Sequence, residues 1–369
     1  IKNGDKMKKI CFFSGDITRS GGTERVGTVI ANELHKRGQF EISIVSLWED
    51  KKKTFFHLEQ GIKRDTLFSD HVSGKKILTY VKAVKKYVEN NKIDVLVDID
   101  GILDLYSIPA LKKTKCKLVS WEQFSYYISP FVSYRKYTRK MAAKKANAIV
   151  VLTESDKNNY LKELEISGEI RTIYNPVEKT PSIINYDDKS KTIITVGRLS
   201  PDKGFDMLVK VASKVFDKHN DWKWIIIGNG EEEPMIREEI KKNRLEENLF
   251  LLGKKENLLE YYRKSALYVA TSRYEGFGLT LLEAKNAKLP CVSFNCPEGP
   301  KEIIRDGING YLVDCFDIEQ MAGKINELIE NENKRKLFSE NALVGTEKFN
   351  IEEIVEQWSE LFTQLLTND

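Results

Sequence analysis

Residues 273–286, Arg-Tyr-Glu-Gly-Phe-Gly-Leu-Thr-Leu-Leu-Glu-Ala-Lys-Asn, set Glu275 and Glu283 eight positions apart around a glycine-flanked turn. The apolar run Leu267-Tyr268-Val269-Ala270 ahead of them predicts a buried strand, and the spacing from Leu279 onward predicts a helix that Pro290 ends. Glu275 then falls on the loop after a strand. Glu283 falls about one turn into the helix, where side chains tilt back toward the N-terminus. The first N–H groups of such a helix, near Gly278 to Thr280, offer an anion site beside the two carboxylates. Hydroxyl-binding carboxylates next to an anion site suit a sugar joined to a phosphate. The plainer reading of Glu283, which shares a stripe with Leu279, Leu282 and Asn286, is a structural hydrogen bond that meets the cost of facing inward.

A cationic segment, Val196-Gly197-Arg198-Leu199-Ser200-Pro201-Asp202-Lys203-Gly204, follows the apolar run 192–196. It places two cations at the carboxyl end of a strand, the edge where open α/β sheets bind ligands. Arg198 can fork onto phosphate oxygens and Lys203 adds a point charge; solvated surface is the plainer reading of either alone. Nearer the N-terminus, Ser20-Gly21-Gly22-Thr23-Glu24-Arg25 leads from a strand into a helix. Its glycines let backbone N–H groups approach a phosphate closely, or simply make a tight turn. The spacing is not Gly-x-Gly-x-x-Gly, so a dinucleotide site has little support. Asp98 and Asp100 alternate along a strand and share one face, but no third oxygen ligand is in sight, so no metal is expected. His35, His57, His71 and His219 lack zinc-ligand spacing. No serine or cysteine lies in a nucleophile elbow, which argues against acyl transfer.

At 369 residues, 41% hydrophobic and 31% charged, the chain reads as soluble and globular, with room for two domains. No apolar stretch reaches the length of a membrane span and no secretory pattern opens the chain; Ile1 to Lys6 read as a remnant ahead of Met7. Five scattered cysteines (Cys11, Cys116, Cys291, Cys296, Cys315) read as reduced thiols of a cytoplasmic protein. Charge is lopsided: residues 1–180 carry 33 Lys and Arg against 22 Asp and Glu, and the remainder 26 against 33. The basic half clusters at Lys75, Lys76, Lys82, Lys85, Lys86 and at Arg135, Lys136, Arg139, Lys140, Lys144, Lys145. Phe124, Tyr126, Tyr127, Phe131 and Tyr134 precede the second cluster. Aromatic residues beside a basic helix fit an anionic membrane surface, against the plainer reading of a solvated helix face. No nucleic-acid module accompanies the charge, so no nucleic acid partner is expected.

Positioning these residues requires strands and helices in alternation. Strands are predicted at 9–13, 41–47, 93–99, 117–120 and 148–152, with a helix at 23–37. A break at 175–190, marked by Asn175-Pro176, Pro181, Asn185 and Asp187-Asp188, ends the first set. The alternation then restarts, with strands at 192–196, 222–227, 249–252, 267–270, 291–293 and 310–313. Helices at 205–215, 235–243, 258–264, 279–287 and 318–329 lie between or after them. An amphipathic tail at 351–366 carries Ile354, Val355, Trp358, Leu361, Phe362 and Leu365 on one stripe. The class is α/β, doubly wound in each half, with a cleft expected between the halves.

Together these motifs resemble the retaining glycosyltransferases of family 4, which have the GT-B fold. The likeness is strongest over 192–315 and most specific from Glu275-Gly276-Phe277-Gly278-Leu279 through Glu283; the Gly-Gly-Thr-Glu-Arg loop, Tyr174-Asn175-Pro176 and the Arg198/Lys203 loop also match. The resemblance implies two Rossmann-like domains facing across a cleft. Residues 1–178 would form an acceptor-binding domain, with 350–369 packing back on it, and 179–349 a nucleotide-sugar donor domain. It further implies that Arg198 and Lys203 bind the donor diphosphate, supported by Gly21 and Gly22, in the role metals play elsewhere. Glu283 would take the ribose hydroxyls and Glu275 the transferred sugar, helped by N–H groups at Phe277, Gly278 and Leu279. Gly253, Lys254 and the loop to Leu258 would border the base. Ser120-Trp121-Glu122-Gln123-Phe124 resembles a Trp-Glu-His-Phe variant with Gln in the His place. Glu122 is therefore the candidate for the sugar or acceptor side, and Gln123 cannot carry a proton.

The resulting expectation is a cytoplasmic, metal-independent, retaining enzyme, peripheral on the inner face of the plasma membrane. It would move a hexose or N-acetylhexosamine from a UDP-sugar to a glycan or polyprenyl-lipid-linked acceptor. A UDP-sugar epimerase and a non-catalytic partner subunit that binds glycan or nucleotide-sugar are the rival readings.

Overall fold

The structure, a computed structural model, describes residues 7–70, 77–128, 134–177 and 186–367. Ile1 to Lys6, His71, Lys75, Lys76, Phe131, Pro181 and Asn185 lie outside the described residues. The chain divides into two compact units, Ile1–Pro176 with Ile351–Asp369, and Val177–Asn350.

In the first unit β1 (Lys9–Ser14), β2 (Glu41–Ser46), β3 (Lys63–Thr66), β4 (Val95–Ile99), β5 (Lys117–Trp121), β6 (Ala148–Val151) and β7 (Glu169–Thr172) pair in parallel in the order 3-2-1-4-5-6-7. Helices α1 (Gly22–Arg37), α2 (Ile77–Asn91), α3 (Asp104–Leu111), α4 (Arg135–Lys145) and α5 (Glu154–Glu163) connect them. The inner strands are largely apolar and buried: Ile10, Cys11, Phe12 and Phe13 of β1 are all fully buried, as strands covered on both faces must be. The edge strands β3 and β7 were not foreseen from the sequence. Their residues, Lys-Arg-Asp-Thr and Glu-Ile-Arg-Thr, are charged and only partly buried, which suits an edge that must resist pairing with another chain.

The second unit repeats the plan. Its strands β8 (Thr192–Val196), β9 (Lys223–Ile227), β10 (Leu249–Leu251), β11 (Leu267–Ala270), β12 (Cys291–Phe294) and β13 (Gly310–Val313) lie in the order 10-9-8-11-12-13, all parallel. Helices α6 (Phe205–Phe216), α7 (Glu233–Lys242), α8 (Leu258–Arg263), α9 (Leu279–Asn286), α10 (Pro300–Ile303), α11 (Ile318–Glu330) and α12 (Glu332–Glu340) complete it. Each sheet begins at its centre, builds to one edge, and then returns to build the other. The connections after β1 and β4, and after β8 and β11, therefore diverge and leave a crevice at the carboxyl ends of those strands.

The last helix, α13 (Ile351–Thr367), follows the second unit in sequence but belongs to the first. Its Trp358 is fully buried, with ring centroids 4.8 Å from Trp121 and 6.4 Å from Phe12, while Phe362 meets Phe40 at 5.7 Å. Trp358→Ala should cost about 3–5 kcal/mol of the first unit's stability, read as a lower denaturant midpoint for that unit. A midpoint unchanged from wild type would show that the helix is not held by this ring.

Two carboxyls lie in the interior near the carboxyl end of β4. Asp98 Oδ1 accepts from Ser107 Oγ at 2.8 Å and Asp104 Oδ2 from Ser120 Oγ at 2.6 Å. Among the described residues no N–H or hydroxyl reaches Asp98 Oδ2 or Asp104 Oδ1. The two carboxyls are electrostatically linked, and the charge of Asp98 adds to burial in raising Asp104. Burial drives both upward, Asp98 to about 7 and Asp104 well above the carboxylate range. The folded chain thus holds a proton that an unfolded aspartate releases near pH ~4, so stability falls as pH rises through the interval up to about 7. Asp98→Asn removes that burden. Its stability relative to wild type should be greater at pH 8 than at pH 5 in parallel urea titrations; a difference independent of pH would refute the raised Asp98 carboxyl.

Candidate active site

The crevice between β8 and β11 holds the paired charges of the second unit. Lys203 follows β8 and Glu275 follows β11, and Lys203 Nζ lies 2.7 Å from Glu275 Oε1. The same oxygen accepts from Ser272 Oγ at 2.7 Å. Their side chains are only 23% and 14% exposed, so the pair is partly desolvated. Burial alone would pull the Lys203 ammonium down, but Glu275 outweighs it and the net shift is upward. Lys203 therefore stays a full positive charge at the strand edge. Arg198 sits five residues earlier on the same loop, exposed, with Nε 3.3 Å from Ser200 Oγ.

The loop that carries Arg198 rests on a segment the sequence reading passed over. Gly228-Asn229-Gly230 follows β9; Leu199 N donates to Asn229 O at 2.9 Å and Gly197 N to Ile227 O at 3.0 Å. A Cβ on Gly228 would overlap the carbonyl oxygen of Gly197, so the close approach of the two backbones demands glycine. The signal available was Gly-x-Gly directly after a predicted strand.

Glu283 lies in α9, half-buried, and accepts from Tyr262 Oη at 3.2 Å. Tyr262, from α8, is a partner the sequence gave no reason to choose. Gly278 caps α9 with φ +96° and contributes no side chain, and Leu279 begins the helix. The Phe277 ring is core, 5.4 Å from Phe349, which leaves the contact expected at this position to its backbone. Gly253, Lys254 and Leu258 lie farther along the same sheet edge, at the end of β10 and the start of α8; Gly253 O accepts from Gly228 N at 3.1 Å.

In the first unit Gly21 is the N-cap of α1, with φ −83°. The Glu24 carboxyl folds back over it, where a Cβ on Gly21 would collide with Oε2, and burial pushes that carboxyl up. The space beside Gly21 and Gly22 is thus partly filled by the protein's own acid. Glu122 departs from expectation. It is almost fully buried: Oε1 accepts from Gln123 N, Phe124 N and, at 2.8 Å, Arg135 Nη1, while Oε2 accepts from Arg139 Nε at 2.8 Å and Tyr160 Oη at 3.3 Å. Burial would raise this carboxyl, but the two guanidinium groups outweigh it and hold it below the usual range. With both oxygens occupied, Glu122 is the anchor of the segment after β5 rather than a group presented to a sugar.

The same network corrects the basic cluster. Arg135 and Arg139 are buried, Arg135 over the Phe124 ring at 4.5 Å and Arg139 near Tyr126 at 5.6 Å. Lys136, Lys140 and Lys144 remain exposed at helical spacing on α4, with Tyr134 and Tyr137. Asp98 and Asp100 do not share a face either. Asp100 lies past the end of β4 with φ +111° and binds Arg135, whereas Asp98 turns to Ser107. Among the described residues no three His, Cys, Asp or Glu side chains converge as metal ligands, and no helix is long and apolar enough to cross a membrane.

The family model for glycosyl transferases group 1 matches residues 177–344, and that for glycosyltransferase family 4 matches 20–180. An uncharacterised glycosyltransferase of Haemophilus influenzae is 32% identical over 353 residues, covering 95% of this chain and 99% of the relative. The amylovoran biosynthesis glycosyltransferase AmsD of Erwinia amylovora is 29% identical over 96% of this chain and 99% of its own. Among solved structures, a TarM variant of S. aureus in complex with UDP and alpha-GlcNAc-glycerol superimposes with a TM-score of 0.80 at 19% identity, covering 96% of this chain and 99% of that one. The last likeness shows the fold; the sequence relatives and family models show the membership. The chain is a family 4-type glycosyltransferase with the GT-B fold.

Proposed function

We propose that this glycosyltransferase moves a hexose or N-acetylhexosamine from a UDP-sugar, with retention and without a metal, to a glycan or lipid-linked acceptor in cell-surface polysaccharide or glycolipid assembly. The Lys203–Glu275 pair at the crevice between β8 and β11 carries this reading. A departing nucleoside diphosphate develops negative charge, which Arg198 and Lys203 can meet. When a phosphate oxygen engages Lys203, it takes over a partner that Glu275 holds in the ligand-free chain. Glu275 is then released to accept hydrogen bonds from sugar hydroxyls, and Glu283 takes those of the ribose. UDP bound to TarM, and the polysaccharide named for AmsD, support the choice of donor and pathway class.

The test is UDP release from a panel of UDP-sugars with acceptor present, in chelator. Wild type should turn over, and Lys203→Ala and Glu275→Ala should lose roughly 100-fold or more in kcat. Equal rates in all three proteins would remove the site assignment. An epimerase would instead isomerise the donor with no acceptor added, and a non-catalytic partner would turn over none of the panel.

The exposed Lys136, Lys140 and Lys144 stripe, with Tyr134 and Tyr137 beside it, supports an acceptor held at an anionic membrane surface. Sedimentation with phosphatidylglycerol vesicles should fall steeply with added salt, and fall again when the three lysines become glutamine. Binding that ignores both changes would locate the acceptor away from this surface.

A further inference from the structure

Arg273 and Asp206 lie outside the residues assigned to the donor, yet they join the two loops that carry Lys203 and Glu275. Arg273 comes three residues after β11 and Asp206 is the second residue of α6. Their contact is forked, with Nη1 to Oδ1 at 2.8 Å and Nη2 to Oδ2 at 2.7 Å. Arg273 Nη1 also donates to Pro201 O at 2.9 Å, and Arg273 N to Asp202 O at 2.8 Å. Thr271 Oγ1 adds contacts to Lys203 O at 3.2 Å and Gly204 O at 3.1 Å. The loop after β8 is thus fastened to the loop after β11 on both sides of Lys203, two residues ahead of Glu275. Burial would raise the Asp206 carboxyl, but Arg273 and the backbone N–H groups at the start of α6 outweigh it and hold it low.

We propose that the Arg273–Asp206 fork is a positioning pair that sets the separation of Lys203 from Glu275 and hence the geometry offered to the donor diphosphate. The proposal rests on the donor reading given above. A partly exposed pair, 29% and 34% accessible, contributes little to stability. Its forked geometry, repeated by backbone contacts to the same loop, is what positioning requires. A displacement of about 1 Å at such a site costs on the order of 100-fold in rate, so loss of the fork reads out in turnover before it reads out in folding.

The experiment compares Arg273→Gln, Asp206→Asn, the double variant and Arg273→Lys in the full chain. Donor kcat/KM should fall roughly 10- to 100-fold in each of the first two. The double variant should lose no more than either single one, because both act through one contact. Acceptor KM and melting temperature should stay close to wild type, and Arg273→Lys should recover part of the loss. In parallel, acetylation of Lys203 by acetic anhydride, followed by mass spectrometry, should rise several-fold in Arg273→Gln without any donor. Unchanged donor kcat/KM with unchanged Lys203 labelling overturns the proposal, as do losses that multiply in the double variant or that track melting temperature alone. If wild type transfers from no UDP-sugar, the donor reading fails and the labelling alone decides the bracket.

Discussion

Lys203 and Glu275 face each other at 2.7 Å with most of their surface hidden from water, and the cost of hiding charge organises much of what surrounds them. Burial alone would pull the Lys203 ammonium down. Beside Glu275 the Lys203 ammonium is held up instead, so the strand edge presents a cation rather than a neutral amine. The pair can exist only because β8 and β11 are neighbours whose chains leave in opposite directions. Strand order, loop divergence and ion pairing are one arrangement seen at three scales.

The first unit solves the same problem in a closed form. At the carboxyl end of β5 one carboxylate meets two guanidinium groups, a phenol and two backbone N–H groups, so Glu122 has no capacity left over. Nearby, burial pushes the Asp98 and Asp104 carboxyls up, which favours their protonated forms. Where the second unit leaves a salt bridge partly open to water, the first uses its buried charges to hold loops. Such saturation ties the segment after β5 to α4 and α5 through a single carboxylate.

Much of the fold was legible because most strands are buried on both faces. Apolar runs such as Ile10 to Phe13 and Leu267 to Ala270 have few other ways to be satisfied, and the inner strands fall close to the expected positions. Edge strands β3 and β7 were illegible for the converse reason, since half-exposed charged residues carry no apolar period. At the site, Arg198, Lys203, Glu275 and Glu283 stood out because their residue types have functional uses at strand ends. Tyr262, Asp206 and Arg273 did not, because each acts through contacts 21 or more residues away in sequence. Glu122 shows the limit of reading a carboxylate from its neighbours in sequence: Arg135 and Arg139, 13 and 17 residues on, decide its role. In sequence the same two arginines belong to a basic cluster, of which only Lys136, Lys140, Lys144 and Lys145 reach the surface.

The return of α13 to the first unit has a consequence for how the chain is made. Synthesis delivers β1 to β7 first, then the whole second unit, and only afterwards Trp358 and Phe362. Until then Phe12, Phe40 and Trp121 lack the rings that cover them in the finished molecule. The second unit, continuous in sequence, can close as soon as it emerges, so the unit begun first is completed last. The nascent chain therefore carries an open apolar face through the making of 174 further residues, Val177–Asn350, until α13 arrives to seal it.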